Sequence, residues 1–190
     1  DTVHWFTGLP HPRSVIANGG IYKWKDGRRN WDTMTAVFDY GPLNDLTTGF
    51  QVVFTSRMHN GEERPAELYF SNGGELNLIT NKVSSNGGLN EGHAKAMGME
   101  PNLLPALDLV KEEVKVVASA NTGSDPLTNA HMQNWMECIR SRKETNAPVE
   151  AGYNHSIATI MTNAAARTGE KIYFDEIKQQ VMTGGKVFKY

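Results

Sequence analysis

The chain has 190 residues, with 19 lysines and arginines against 21 acidic residues and a formal net charge of −2. That length suits one domain around a single core, and the balanced charge excludes the broad positive field that gathers nucleic acid or anionic membrane. No run approaches the roughly 20 apolar residues a bilayer span needs, and no secretory leader is recognisable, so the residues read as soluble, in cytoplasm or periplasm.

Asp1 to Gly8 reads as the last turns of a helix closed by glycine. From residue 14 to residue 80 the pattern has period two, with β-branched and aromatic residues between glycine-rich turns, as a half-buried antiparallel sheet requires. Phe50, Val52 and Phe54 mark one face of a strand, and Asp26-Gly27 turns the chain between Ile21-Tyr22 and a strand holding Ala36 and Phe38. Leu68 and Phe70, then Leu76 and Leu78, flank Asn72-Gly73-Gly74, the signature of a tight hairpin.

Residues 81 to 104, rich in Gly, Asn and Ser, read as a long lid or interface loop. Residues 105 to 118 fit a helix or, at the Val114 to Val117 end, an extended segment. Two helices follow. The first is capped by Asp125 or Thr128 and carries Met132, Trp135, Met136 and Ile139 at helical spacing, with Cys138 among its core positions. The second carries Ile157, Ile160, Met161 and Ala164 and stops at Gly169. Extended segments around Ile172 to Phe174 and Val187 to Tyr190 close the chain. Strands followed by helices predict an α+β fold, an open and mostly antiparallel sheet backed by helices, over a single domain 1–190.

Several of these stretches resemble a known family. His4-Trp5-Phe6-Thr7-Gly8, Gly19-Gly20-Ile21-Tyr22, Asp26-Gly27-Arg28 with Asp32-Thr33, and the run from His131 to Lys143 are similar, in order and spacing, to the C-terminal domain of the Gfo/Idh/MocA oxidoreductases, bacterial dehydrogenase branch. Pro148 to Gly152, Ala166 to Gly169 and Tyr173 to Asp175 extend the likeness over nearly the whole chain. The resemblance implies a substrate-side domain that packs on an N-terminal Rossmann domain and associates into homo-oligomers through its sheet. It implies hydride transfer between a sugar or polyol and NAD or NADP.

No Gly-x-Gly-x-x-Gly and no Glu-Lys-Pro occurs here, so the chain alone is expected to bind no dinucleotide and to be inactive. Aligned with the family's DxxxHxxD junction motif, Asp1 is the last aspartate, which puts the catalytic pair before the first residue; in a rival register His4 is the catalytic histidine.

The residues weighed for substrate binding are His4, Trp5, Asp32, His131, Asn134 and His155. His131 and Asn134 beside Trp135 offer hydrogen bonds next to an aromatic plate, against the simpler reading of a boundary histidine and a core tryptophan. His4 and Trp5 lie at the junction, as site or as contact residues. Lys23, Lys25, Arg28 and Arg29 form either a receiver for a carboxylate or phosphate or a solvated hairpin, with Asp32 and Thr33 next to them. Tyr153, Asn154 and His155 open the second helix, where capping is the simpler role. The six histidines show no metal-binding spacing. Two alternatives remain: a metal-dependent sugar lyase or hydrolase built on a folded histidine cluster, and a non-catalytic binding or assembly module.

Overall fold

The computed structural model describes residues 2–59, 66–85, 90–99, 105–109, 117, 120 and 122–189. Its contacts divide the chain into two compact units, Asp1–Asn60 with Asn134–Tyr190, and Gly61–Gln133. The core that the length predicts lies in the first.

In the first unit, α1 (Thr2–Thr7) ends at Gly8, whose φ of 70° is the left-handed cap the sequence announces. Strands β1 (Ser14–Gly20), β2 (Thr33–Tyr40) and β3 (Phe50–Arg57) form an antiparallel meander. On the other side of β1 comes β8 (Ile172–Asp175), followed by β9 (Gln180–Thr183) and β10 (Lys186–Val187). The six-stranded sheet therefore runs β10-β9-β8-β1-β2-β3, with every pairing antiparallel. β9 was not separated by the sequence reading. Its alternation is only four residues long and two turns hide it.

One helix covers one face. Helix α4 (Val149–Thr168) packs along β1, β8 and β9. Ile157, Met161, Ala164 and Ala165 meet Val15, Ile172 and Phe174 in the buried core, and the alanines let the helix settle close to the sheet. Its stripe and its stop at Gly169 are as expected, Gly169 donating back to Ala165 O at 2.9 Å. Its start is not. The N-cap is Pro148, so Tyr153, Asn154 and His155 lie past the first turn and cap nothing.

On the opposite face of this sheet, apolar side chains are exposed among the described residues. Ile16, Val37 and Val53 stand in register across β1, β2 and β3, with Tyr173 on β8 on the same side. Val53 is 65% exposed, on an edge strand eight residues long.

The second unit holds its own sheet, which corrects the single sheet expected from 14 to 80. β4 (Leu68–Ser71), β5 (Gly74–Asn77), β6 (Lys82–Ser84) and β7 (Leu107–Asp108) lie in chain order. The Asn72-Gly73 hairpin is present, with Ser71 opposite Gly74. Within the loop expected over 81–104, the described residues include β6 and helix α2 (Glu91–Ala96), capped by Asn90. The Val114 to Val117 question falls mostly outside the described residues.

Helix α3 (Pro126–Ser141) begins as read, with Asp125 accepting from the amides of Leu127 and Thr128 at 3.0 and 3.1 Å. Its apolar stripe is not core: Trp135 is 50% exposed, and Cys138 is half-buried rather than internal. No described helix is long and apolar enough to cross a membrane.

Candidate functional site

The first turn of chemistry along the chain is at α1. Its six residues put His4 against β2, where His4 Nε2 and the Tyr40 hydroxyl share a hydrogen bond of 2.8 Å. Tyr40 is buried and stacks on Phe50 at a ring separation of 5.3 Å. Burial pushes the Tyr40 hydroxyl up to about 12 and is the largest cause that pushes His4 down to about 4. The pair is neutral at physiological pH.

Neutrality makes the pair directional. If Tyr40 donates to Nε2, the proton of His4 sits on Nδ1; if His4 donates, Nδ1 is an acceptor. Either way Nδ1 is buried, with no partner among the described residues. Next to it on α1, Trp5 is 81% exposed and tilts against Phe6. His11, one loop further on, is buried on Phe174 and holds Glu176 at 3.1 Å.

Asp32 occupies the far end of the β1–β2 pair. It is 1% exposed and accepts from the amides of Tyr22, Lys23 and Trp24 at 3.1, 2.8 and 2.8 Å and from the Thr33 hydroxyl at 3.0 Å. Burial raises its pKa and is the largest single influence, yet these donors together hold the carboxyl well below the usual carboxylate range. Both oxygens are committed to the loop. Asp32 shapes residues 21–31 and does not reach out to a ligand.

The other candidates are dispersed. Asn134 accepts from Asn146 N at 2.9 Å and donates to Cys138 Sγ at 3.7 Å, closing the turn between α3 and α4 beside an open, polar depression of about 520 Å³. His131 is exposed on α3 and belongs to the second unit. His155 is exposed on α4, the helix that α1 contacts. Asp1 lies outside the described residues. Of the six candidates, His4 and Trp5 are neighbours on α1 and His155 lies on α4, which α1 contacts; Asp32 and Asn134 lie elsewhere in the same unit, and His131 is in the other unit.

The sequence reading missed two residues. Tyr40 looks like the last strand position and gains its role only through the fold. Arg13, 7% exposed, donates to the carbonyls of Pro42, Asp45 and Thr48 at 3.0, 2.7 and 3.0 Å and to Asp39 Oδ1 at 2.9 Å. A Pro-Arg pair just before a strand was the only signal.

Among the described residues no three His, Cys, Asp or Glu side chains converge as a metal site. No family model, curated protein or solved structure matches the chain.

Proposed function

We propose that this chain is the substrate-side domain of a nicotinamide-dependent oxidoreductase acting on a sugar or polyol, organised like the C-terminal domains of the Gfo/Idh/MocA family. The supporting likeness is the ordered set of stretches from His4-Trp5-Phe6-Thr7-Gly8 to Tyr173-Phe174-Asp175. An open antiparallel sheet backed on one face by α4 accords with it.

The observation that carries the reading is the neutral His4–Tyr40 pair, with His4 Nδ1 buried and without a partner among the described residues and Trp5 exposed beside it. At a junction with a nucleotide-binding domain, such a pair orients a sugar hydroxyl and stays uncharged while doing so. Trp5 offers an apolar plate for the partner domain or the sugar ring.

The sequence has no Gly-x-Gly-x-x-Gly to cradle a pyrophosphate. The cofactor belongs to the other domain. Self-association is the second half of the proposal: monomers rarely leave apolar side chains such as Ile16 and Val53 exposed on one sheet face that ends at the unpaired edge of β3. That exposed face is also the one observation favouring a purely assembling module.

The test separates these readings. Together with its nucleotide-binding domain, the chain should reduce NAD⁺ or NADP⁺ with at least one aldose, ketose or inositol from a panel; by itself it should bind no NADH in calorimetry. Micromolar NADH binding by the chain alone overturns the division of labour. Association without turnover of any polyol overturns the enzyme and leaves the assembly module.

A further inference from the structure

Positive charge in this chain is concentrated. Residues 21–31 carry Lys23, Lys25, Arg28 and Arg29 against Asp26 alone, a net charge of +3 in a chain whose total is −2. The same eleven residues hold Tyr22, Trp24 and Trp31. A merely solvated hairpin needs no internal scaffold, but this one has the buried Asp32 carboxylate gripping three successive amides.

The glycines of β1 complete that scaffold. A side chain on Gly19 would come within 2.8 Å of the Trp31 ring, and one on Gly20 within 3.0 Å of the Tyr22 ring. Both aromatic rings are therefore seated on bare backbone at the strand's end. Tyr22 remains 65% exposed.

Two of the four cations are used inside the loop. Arg28 lies 4.3 Å over the Trp24 ring and pairs with Asp26, which is held down to about 2 chiefly by that hydrogen bond. Lys25 Nζ donates to Ile21 O. Lys23 and Arg29 are exposed, and among the described residues neither side chain has an ion pair or hydrogen bond. An ordered loop thus presents an aromatic plate and two unspent cations.

We infer that the 21–31 loop is a binding site for an anionic saccharide, a pyranose carrying one carboxylate or phosphate. Tyr22 takes the apolar face of the ring, as aromatic plates do for amphipathic partners, and Lys23 and Arg29 take the charge, Arg29 through its two-pronged donor geometry. The saccharide half of this inference rests on the sugar oxidoreductase reading. The anion half rests on the loop alone.

The experiment follows intrinsic tryptophan fluorescence while the chain is titrated with glucuronate, glucose 6-phosphate, glucose and inorganic phosphate. The two charged sugars should bind at least tenfold more tightly than either glucose or inorganic phosphate. The double variant Lys23→Gln/Arg29→Gln should lose at least tenfold in affinity for the charged sugars with glucose unaffected, and Tyr22→Ala should weaken every sugar. Both cations are exposed and unpaired, so an unchanged melting curve is expected and serves as the folding control.

Equal binding of glucose and glucuronate overturns the inference. So does full retention by the double variant, and so does inorganic phosphate binding as tightly as the sugar phosphate, which would reduce the loop to a simple anion contact. These outcomes are distinct from failure of the oxidoreductase reading. Polyol turnover by the unaltered chain with its nucleotide-binding domain, without preference for charged sugars, sinks the loop site only; absence of turnover with intact anion binding sinks the enzyme only.

Discussion

The two ends of the β1–β2 pair are each organised by a single buried charge, of opposite sign. At one end the Asp32 carboxylate gathers the amides of residues 22–24; at the other the Arg13 guanidinium gathers the carbonyls of Pro42, Asp45 and Thr48. The loops differ in what is left over. Around Arg13 the chain closes tightly: Gly49, at φ 141°, has no room for a side chain, because a Cβ would fall 2.1 Å from Tyr40 O and 2.6 Å from the guanidinium. Around Asp32 the chain stays open, with Gly27 facing empty space and Tyr22, Lys23 and Arg29 exposed. One buried charge builds a plug, the other a platform.

The largest effect is expected at the plug. Arg13→Ala strands three carbonyls and Asp39, and a buried hydrogen-bonded charge pair broken on one side costs roughly 3–5 kcal/mol. Urea unfolding of the purified variant checks this. Arg13→Lys should recover only a minor part, because an ammonium on a flexible stem does not span the four acceptors. A loss under about 1 kcal/mol would mean the loop holds itself, and the contrast between the two ends would fall.

At the platform the effect is smaller and depends on pH. Each Asp32 oxygen accepts two hydrogen bonds, so Asp32→Asn turns at least two of four donors onto an amide nitrogen and should lower Tm by roughly 5 °C. The native carboxyl is held below its unfolded value of about 3.9. Its contribution is therefore complete above that value and is lost as pH falls through the depressed native pKa. Asp26, Asp45, Asp125 and Asp175 are lowered too and share the acid window, so the signature is a difference in slope. Melting from pH 6 down to pH 2 should show a shallower acid limb in the variant. Parallel limbs would leave Asp32 without its role.

That contrast also explains what could be read in advance. The position of Asp32 stood out because it follows an Asp-Gly turn and a cluster of cations, all local in sequence, but it was read as a substrate-binding residue and its grip on the loop amides was not foreseen. Arg13 did not stand out, because three of its acceptors are backbone carbonyls, which every residue has, 29 to 35 residues away, and the fourth, the Asp39 carboxylate, is 26 residues away. The same reasoning separates α4 from α3. Both show apolar residues at helical spacing, but period says only that a helix has a face. It does not say that the face is covered: in α4 it is, by β1 and β8, while Trp135 of α3 stays half-exposed. At the candidate site His4 and Trp5 were named from a local stretch, whereas Tyr40 entered through a pairing 36 residues apart.

The smallest effect is expected at the His4–Tyr40 pair, where it is the cause rather than the size that is informative. Tyr40→Phe removes one neutral hydrogen bond and keeps the ring on Phe50, so it should cost about 1 kcal/mol. His4 is held down to about 4 chiefly by burial, which the variant does not alter. Its titration, followed by imidazole proton resonances, should therefore remain near 4 in the variant. The sign of the stability effect follows: a histidine depressed from about 6.5 stabilises fully above that pH and progressively less as pH falls toward 4, because the unfolded chain takes the proton first. If His4 instead titrates near 6.5 in the native protein, α1 does not rest on β2 as described. A neutral pair beside Trp5 would then no longer support a sugar site at this edge.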